Sequence, residues 1–229
     1  MMISALLLGT MHAFEADHLL AMSSIVTKRS KWTHAIREGV YWGMGHTSTI
    51  ILVGILMITL KVAIPESNFS YFEAAVGFML IGLGGYRIYK FFSNNRVVVH
   101  SHTHTHRIGE LPHRLQHQLH MHINDRTNAS HKRLAYGVGM VHGLAGSGEL
   151  VVAAAALYIN PWLGLAYLAL FGMGTVFGMA IATGLLHLPF TQKALLSQQI
   201  TVSLAWVSAL LCIGYGTWIS YENLSSVAF

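Results

Sequence analysis

Seven consecutive residues, His12-Ala-Phe-Glu15-Ala-Asp17-His18, place two imidazoles and two carboxylates inside an apolar run from about Met2 to Val26. Imidazole nitrogen suits Ni, Co, Cu and Zn, and a carboxylate offsets the charge of such an ion where the dielectric is low. In a bilayer an Asp at mid-depth costs about 2.5–3.5 kcal/mol on insertion scales, so ionisable residues held there mark binding or conduction. His46 and His142 lie in two further apolar runs. At a rise of about 1.5 Å per residue, His12 falls about 15 Å into its run and the other two about 12 Å into theirs. One such His reads as a hydrogen-bonded packing residue. Three at one depth, beside Asp17 and His18, read as a site.

Helix geometry constrains that site. His12, Glu15 and His18 share one broad side of a regular helix, whereas Asp17 lies about 140° from His12. Using His12, Asp17 and His18 together needs a distorted or broken helix, or a ligand from elsewhere. Irregular backbone is tolerated at membrane depth where it lines a cavity. The bland alternative makes Glu15 and Asp17 structural partners of a hydroxyl or His on another span.

The elements that must carry these residues are membrane helices. The chain is 53% hydrophobic and 10% charged, with a mean hydropathy of +0.50, well outside the range of soluble domains. Apolar stretches recur at 2–26, 39–60, 72–92, 134–158, 162–188 and 200–221, each long enough to cross about 30 Å of hydrocarbon. The first lacks a basic leader and carries ionisable residues where a signal peptide is plainly apolar, so a retained helix is expected. The 22 glycines suit closely packed membrane helices. One cysteine, Cys212, excludes an internal disulfide and a thiolate metal cluster. Trp32, Trp162 and Trp218 are expected as interfacial anchors.

Three short matches recur in order: Gly9-Thr-Met-His12 with Gly139-Met-Val-His142, Gly43-Met44-Gly45 with Gly172-Met173-Gly174, and Ile81-Gly82 with Ile213-Gly214, at offsets of 130, 129 and 132. With three spans per half, the halves enter the membrane from opposite sides. The expected fold is an all-α polytopic membrane protein with six helices as a 3+3 inverted repeat, the site at the repeat interface. Residues 1–92 form the first three-helix unit, 93–133 a disordered cytoplasmic loop and 134–229 the second unit. Thirteen of the fourteen Lys and Arg residues fall on one side of this topology, leaving Lys61 on the other. Both termini are therefore expected outside and the loop inside, in a prokaryotic inner membrane. The basic residues bunch at membrane boundaries without interleaved aromatics, which argues against nucleic-acid binding despite a pI near 9.4.

His12-x4-Asp17-His18 resembles the HX4DH signature of the nickel/cobalt transporter superfamily. Gly43-Met-Gly45-His46-Thr47-Ser48 resembles its second motif, and His142-Gly143-Leu-Ala-Gly146-Ser147-Gly148 the HGxxGSG segment of the UreH-like branch. The resemblance implies transport of Ni²⁺ or Co²⁺, with His12, Asp17, His18 and His46 handling the ion; charge and depth add Glu15 and His142 as further candidates. The classical importers have eight spans, so the chain fits the smaller branches. Metallochaperones or urease and hydrogenase maturation proteins are the partners this implies. No prosthetic group is expected.

Gly143, Gly146 and Gly148 fit either a helix break or close helix packing, and Ser147 and Glu149 fit a relay beside the ion. The loop holds nine of the fifteen His residues, and the alternating run His100, His102, His104, His106 suits a metal buffer at the inner mouth. No Walker-A loop is present, so uptake as a secondary transporter is expected. Efflux by the same fold is the alternative. A membrane metalloenzyme fits worse, since neither a Ser/His pair nor a His-Glu-x-x-His motif is present.

Overall fold

The computed structural model describes residues 2–26, 32–62, 64–93, 105–108, 111–114, 128–191 and 198–228. Eight α-helices carry nearly all of them: α1 Met2–His12, α2 Ala16–Val26, α3 Trp32–Gly54, α4 Glu66–Ser93, α5 Asn128–Ala145, α6 Ser147–Leu157, α7 Pro161–Thr191 and α8 Gln198–Ala228. A π-helical turn, Ile55–Thr59, prolongs α3, and Lys61 ends it in the left-handed region at φ 52°. Strands β1 Thr105–Ile108 and β2 Leu111–Arg114 pair antiparallel, with His106 opposite His113. The remaining residues of 94–127, with His100, His102 and His104, lie outside the described residues.

Among the described residues, four helices are long and apolar enough to cross a membrane: Trp32–Thr59, Asn68–Phe92, Pro161–Leu188 and Val202–Val227. The other two expected spans, 2–26 and 134–158, are interrupted helices, and the first has the break that using His12, Asp17 and His18 together requires. The run 2–26 divides into α1 and α2, joined by tight turns in which Phe14 N–H donates to Met11 C=O and Glu15 N–H to His12 C=O. Glu15 then precedes α2 and Asp17 sits in its first turn, where a carboxylate favours the positive end of a helix. The run 134–158 divides at Gly146 into α5 and α6. Both interruptions fall beside the imidazole motifs.

The glycine contacts between helices recur in matched pairs. A Cβ on Gly9 would stand 2.0 Å from Phe171 O and 3.0 Å from Thr175 N; one on Gly139 would stand 2.1 Å from Trp42 O and 3.1 Å from His46 N. Gly174 meets Leu6 and Thr10 just as Gly45 meets Tyr136 and Met140. Thus α1 runs parallel to α7 and α5 parallel to α3. The contacts of Gly39 with Met179, Gly43 with Val176 and Gly54 with Leu168 set α3 antiparallel to α7. These backbones touch because no side chain intervenes.

Two buried clusters hold the bundle, one around Trp42, Met22, Leu80 and Met179, the other around Ile50, Val151, Leu168 and Phe171. Outside them, large apolar side chains such as Ile3, Phe78, Phe177 and Leu210 are exposed, a girdle that only an apolar solvent covers. Trp32 and Trp162 are exposed at the starts of their helices. Trp218 differs from expectation, because α8 continues to Ala228 and Trp218 lines a cavity instead of ending a span.

Candidate metal centre

The break after α1 brings together residues that a regular helix would separate. His12 ends α1 and His18 lies in the first turns of α2, and their rings stand 4.7 Å apart edge to face. His46, from the middle of α3, stands 5.2 Å from His12 and 5.3 Å from His18. His142, near the end of α5, stands 4.6 Å from His18. Gly143 makes this approach feasible, since a Cβ there would meet His46 O at 2.4 Å. Phe171 walls His12 and Trp42 walls His142. Four imidazoles from three stretches of chain therefore occupy one place.

Their hydrogen bonds leave nitrogens free. His12 Nδ1–H donates to Glu15 Oε1 at 2.8 Å, and His18 Nδ1–H to Asp17 Oδ1 at 3.0 Å. Each bond fixes the tautomer that turns a bare Nε2 outward, as carboxylates do for metal-binding His. His142 Nε2 lies 3.6 Å from Asp17 Oδ2. His18 Nε2 and both ring nitrogens of His46 are buried without a hydrogen-bond partner among the described residues. Each such atom costs about 1–3 kcal/mol if nothing binds it, so a cluster of them fits a ligand.

Two groups have donor atoms within 4.8 Å of one another: His12, His18 and His46, and Asp17, His18 and His142. Two nitrogens about 2.1 Å from one ion stand at most about 4.2 Å apart, so either group closes on an ion with small side-chain movements. His18 belongs to both. Glu15 stands outside both, half-exposed, and holds the His12 ring. The side chains of Ser147, Glu149 and His106 lie outside the described residues.

His12, Asp17, His18 and His142 line a cavity of about 1450 Å³, and His46 is fully buried against them. The cavity walls come from the first turns of α4, the last turns of α8 and the start of α6, so it opens at the end of the bundle where α4 begins. Glu73 and Glu222 line it with Glu15 and Asp17. The sequence reading missed Glu73 and Glu222. Their signal was two isolated carboxylates in or beside apolar stretches, in positions that only the packing of α4 against α8 brings to one opening.

The family described as cytochrome C biogenesis protein transmembrane region matches residues 1–218. Urease accessory protein UreH of Bacillus sp. (strain TB-90) is 35% identical over 191 residues, covering 82% of this chain and 76% of that protein. Two Arabidopsis thaliana proteins, Chloroplast protein FOR GROWTH AND FERTILITY 1 and 2, are 28% and 25% identical over 93% and 91% of this chain. The chain spans 56% and 52% of their lengths. No solved structure matches. The chain therefore belongs to this family of transmembrane regions and is a relative of UreH, in keeping with the resemblance to the UreH-like branch.

Proposed function

We propose that the protein moves Ni²⁺ or Co²⁺ across a membrane as a secondary transporter. The observation that carries this reading is the convergence of His12, His18, His46, His142 and Asp17, all but the fully buried His46 lining an open cavity, with buried ring nitrogens unpartnered among the described residues. Imidazole-rich donor sets favour these borderline ions over Mg²⁺ or Ca²⁺. The urease accessory name of the UreH relative favours Ni²⁺. Urease maturation proteins or a metallochaperone are the matching partners on the receiving side.

Six crossings follow if α1 with α2, and α5 with α6, each traverse the bilayer as an interrupted span. The repeated glycine contacts and the antiparallel α3–α7 pair support a 3+3 inverted repeat. Placing the basic segments inside sets the cavity mouth outside, in a cell inner membrane, and the His-rich loop in the cytoplasm as a buffer. The direction is then inward. A divalent ion entering along the potential gains about 4.6 kcal/mol per 100 mV, twice the value for a single charge.

The ion meets carboxylates first and imidazoles last. Glu73 and Glu222 raise its local concentration; His12, His18 and His46 then replace its water, with Asp17 balancing its charge. Radiolabelled Ni²⁺ flux in proteoliposomes under a defined potential tests this. His12→Ala and Asp17→Asn are each expected to cut inward flux at least about tenfold, as loss of one ligand or its orienting partner does. Unchanged flux in both variants would remove the cluster from the path. Outward flux dominating under an inside-negative potential would select efflux.

The carboxylates at the mouth act at longer range. Glu222→Gln is expected to raise the half-saturating Ni²⁺ concentration about two- to threefold at low salt, with an unchanged maximal rate. The difference should vanish near 0.5 M salt, where the screening length falls to about 4 Å. A difference independent of salt would make Glu222 a direct ligand instead.

A further inference from the structure

Beyond the imidazoles, at the end of the bundle opposite the cavity mouth, α2, α4 and α8 are packed shut. The hydroxyls of Ser23 and Ser208 hydrogen-bond at 2.6 Å. Arg87 Nη1 donates to the Ser23 carbonyl at 2.6 Å. The Arg87 side chain is 5% exposed, and its Nε has no partner among the described residues. A buried guanidinium whose Nε has no partner among the described residues is costly, which asks for a reason beyond packing.

The internal repeat supplies one. Gly84 approaches Ala209 O, Ile213 and Cys212, while Gly216 approaches Gly77 O, Ile81 and Leu80, the same neighbours at an offset of 132. The α1–α2 and α5–α6 stretches correspond at 130. Under these offsets three cavity-lining residues, Ala153, Ile219 and Val76, correspond to Ser23, Arg87 and Ser208. The sealed contact is the image of the open wall.

We propose that Ser23, Arg87 and Ser208 form the closed inner mouth of the ion path, which opens into a second cavity when the two halves exchange conformations. This rests on the transport reading above. The two mouths differ in charge: Glu222 of the open cavity corresponds to Lys90, and Ile219 to Arg87. The open cavity is lined by four carboxylates; in the second, Arg87 and Lys90 stand with one carboxylate, Glu38, the counterpart of the cavity-lining Tyr167 at the offset of 129. The first mouth therefore gathers divalent ions more strongly than the second, which biases the path toward release on the side of Arg87.

The two serines allow a direct test, since cysteines in their place can meet disulfide geometry. The full chain carrying Ser23→Cys and Ser208→Cys in a Cys212→Ala background is reconstituted in liposomes. Ni²⁺ flux and Ni²⁺ binding from the Glu222 side are read after oxidation and again after reduction. Oxidation is expected to cut flux at least about tenfold and leave binding affinity within about twofold, with flux restored by reduction. Cross-linked protein that transports at the reduced rate overturns the proposal, as does failure of the pair to cross-link. Ser23→Cys alone, in the same background, gives a second readout through an impermeant maleimide applied from the Arg87 side. Its labelling is expected to quicken when a Ni²⁺ gradient drives turnover, and a rate indifferent to Ni²⁺ overturns the proposal. An unaltered chain that binds no Ni²⁺ overturns the transport reading itself.

Discussion

His18→Ala is expected to weaken Ni²⁺ binding at least about 100-fold, near 2.8 kcal/mol, the largest loss for any single residue of the cluster. Titration calorimetry on detergent-purified protein at pH 7 reads it directly. The reason is geometric. His18 is the one residue in both donor groups, with rings 4.7 Å from His12, 5.3 Å from His46 and 4.6 Å from His142. Its removal leaves no complete group of three. His142→Ala leaves His12, His18 and His46 in place, and about a tenfold loss is expected, typical of a lesser partner. Equal losses in the two variants would mean that the groups act as a single site. Affinity retained within about threefold in His18→Ala would show that the ring is not a ligand. The variant should remain folded, because losing the unpartnered Nε2 partly offsets the lost packing and the lost Nδ1–H bond to Asp17. An unchanged thermal midpoint checks this.

The residues of the cluster were legible in the sequence, and their assembly was only partly so. Depth along each apolar run placed His12, His46 and His142 at one level, and helical geometry required a break if Asp17 and His18 were to join His12. That break is the turn at 13–15. Two things stayed hidden for different reasons. The role of Glu15 depends on a bond across the turn to His12 Nδ1, and spacing alone made it a candidate ligand equal to Asp17. The cavity walls depend on which ends of α4 and α8 meet, a non-local fact with no signature in either helix. Hydropathy alone does not register the turns within 2–26 and 134–158, because it counts apolar residues and not a turn whose donors are satisfied locally. Arg87 was visible only as one charge in the inside–outside balance. Its contact with Ser23, 64 positions away, requires three dimensions.

Gly139→Ala and Gly137→Ala, two residues apart on α5, are expected to move stability in opposite directions. A Cβ at Gly139 would stand 2.1 Å from Trp42 O and 3.1 Å from His46 N, both main-chain atoms that cannot turn aside. Separating α5 from α3 to admit it should cost about 1–3 kcal/mol, as overpacking does. Nothing lies within 4 Å of a Cβ at Gly137, and replacing a helical glycine there should gain up to about 1 kcal/mol. Urea unfolding in detergent measures both. Because the displaced strip of α3 carries His46 and that of α5 carries His142, Gly139→Ala should also weaken Ni²⁺ binding, while Gly137→Ala leaves it alone. Gly9→Ala, whose Cβ would strike Phe171 O at 2.0 Å, should behave like Gly139→Ala. Equal stability of the Gly139 and Gly137 variants would mean that α3 and α5 do not touch backbone to backbone. The imidazoles would then lack the support that holds them at one depth. A matched loss at Gly9 and Gly139 would instead show that the two halves bear on each other through equivalent contacts, the condition on which an exchange of their conformations depends.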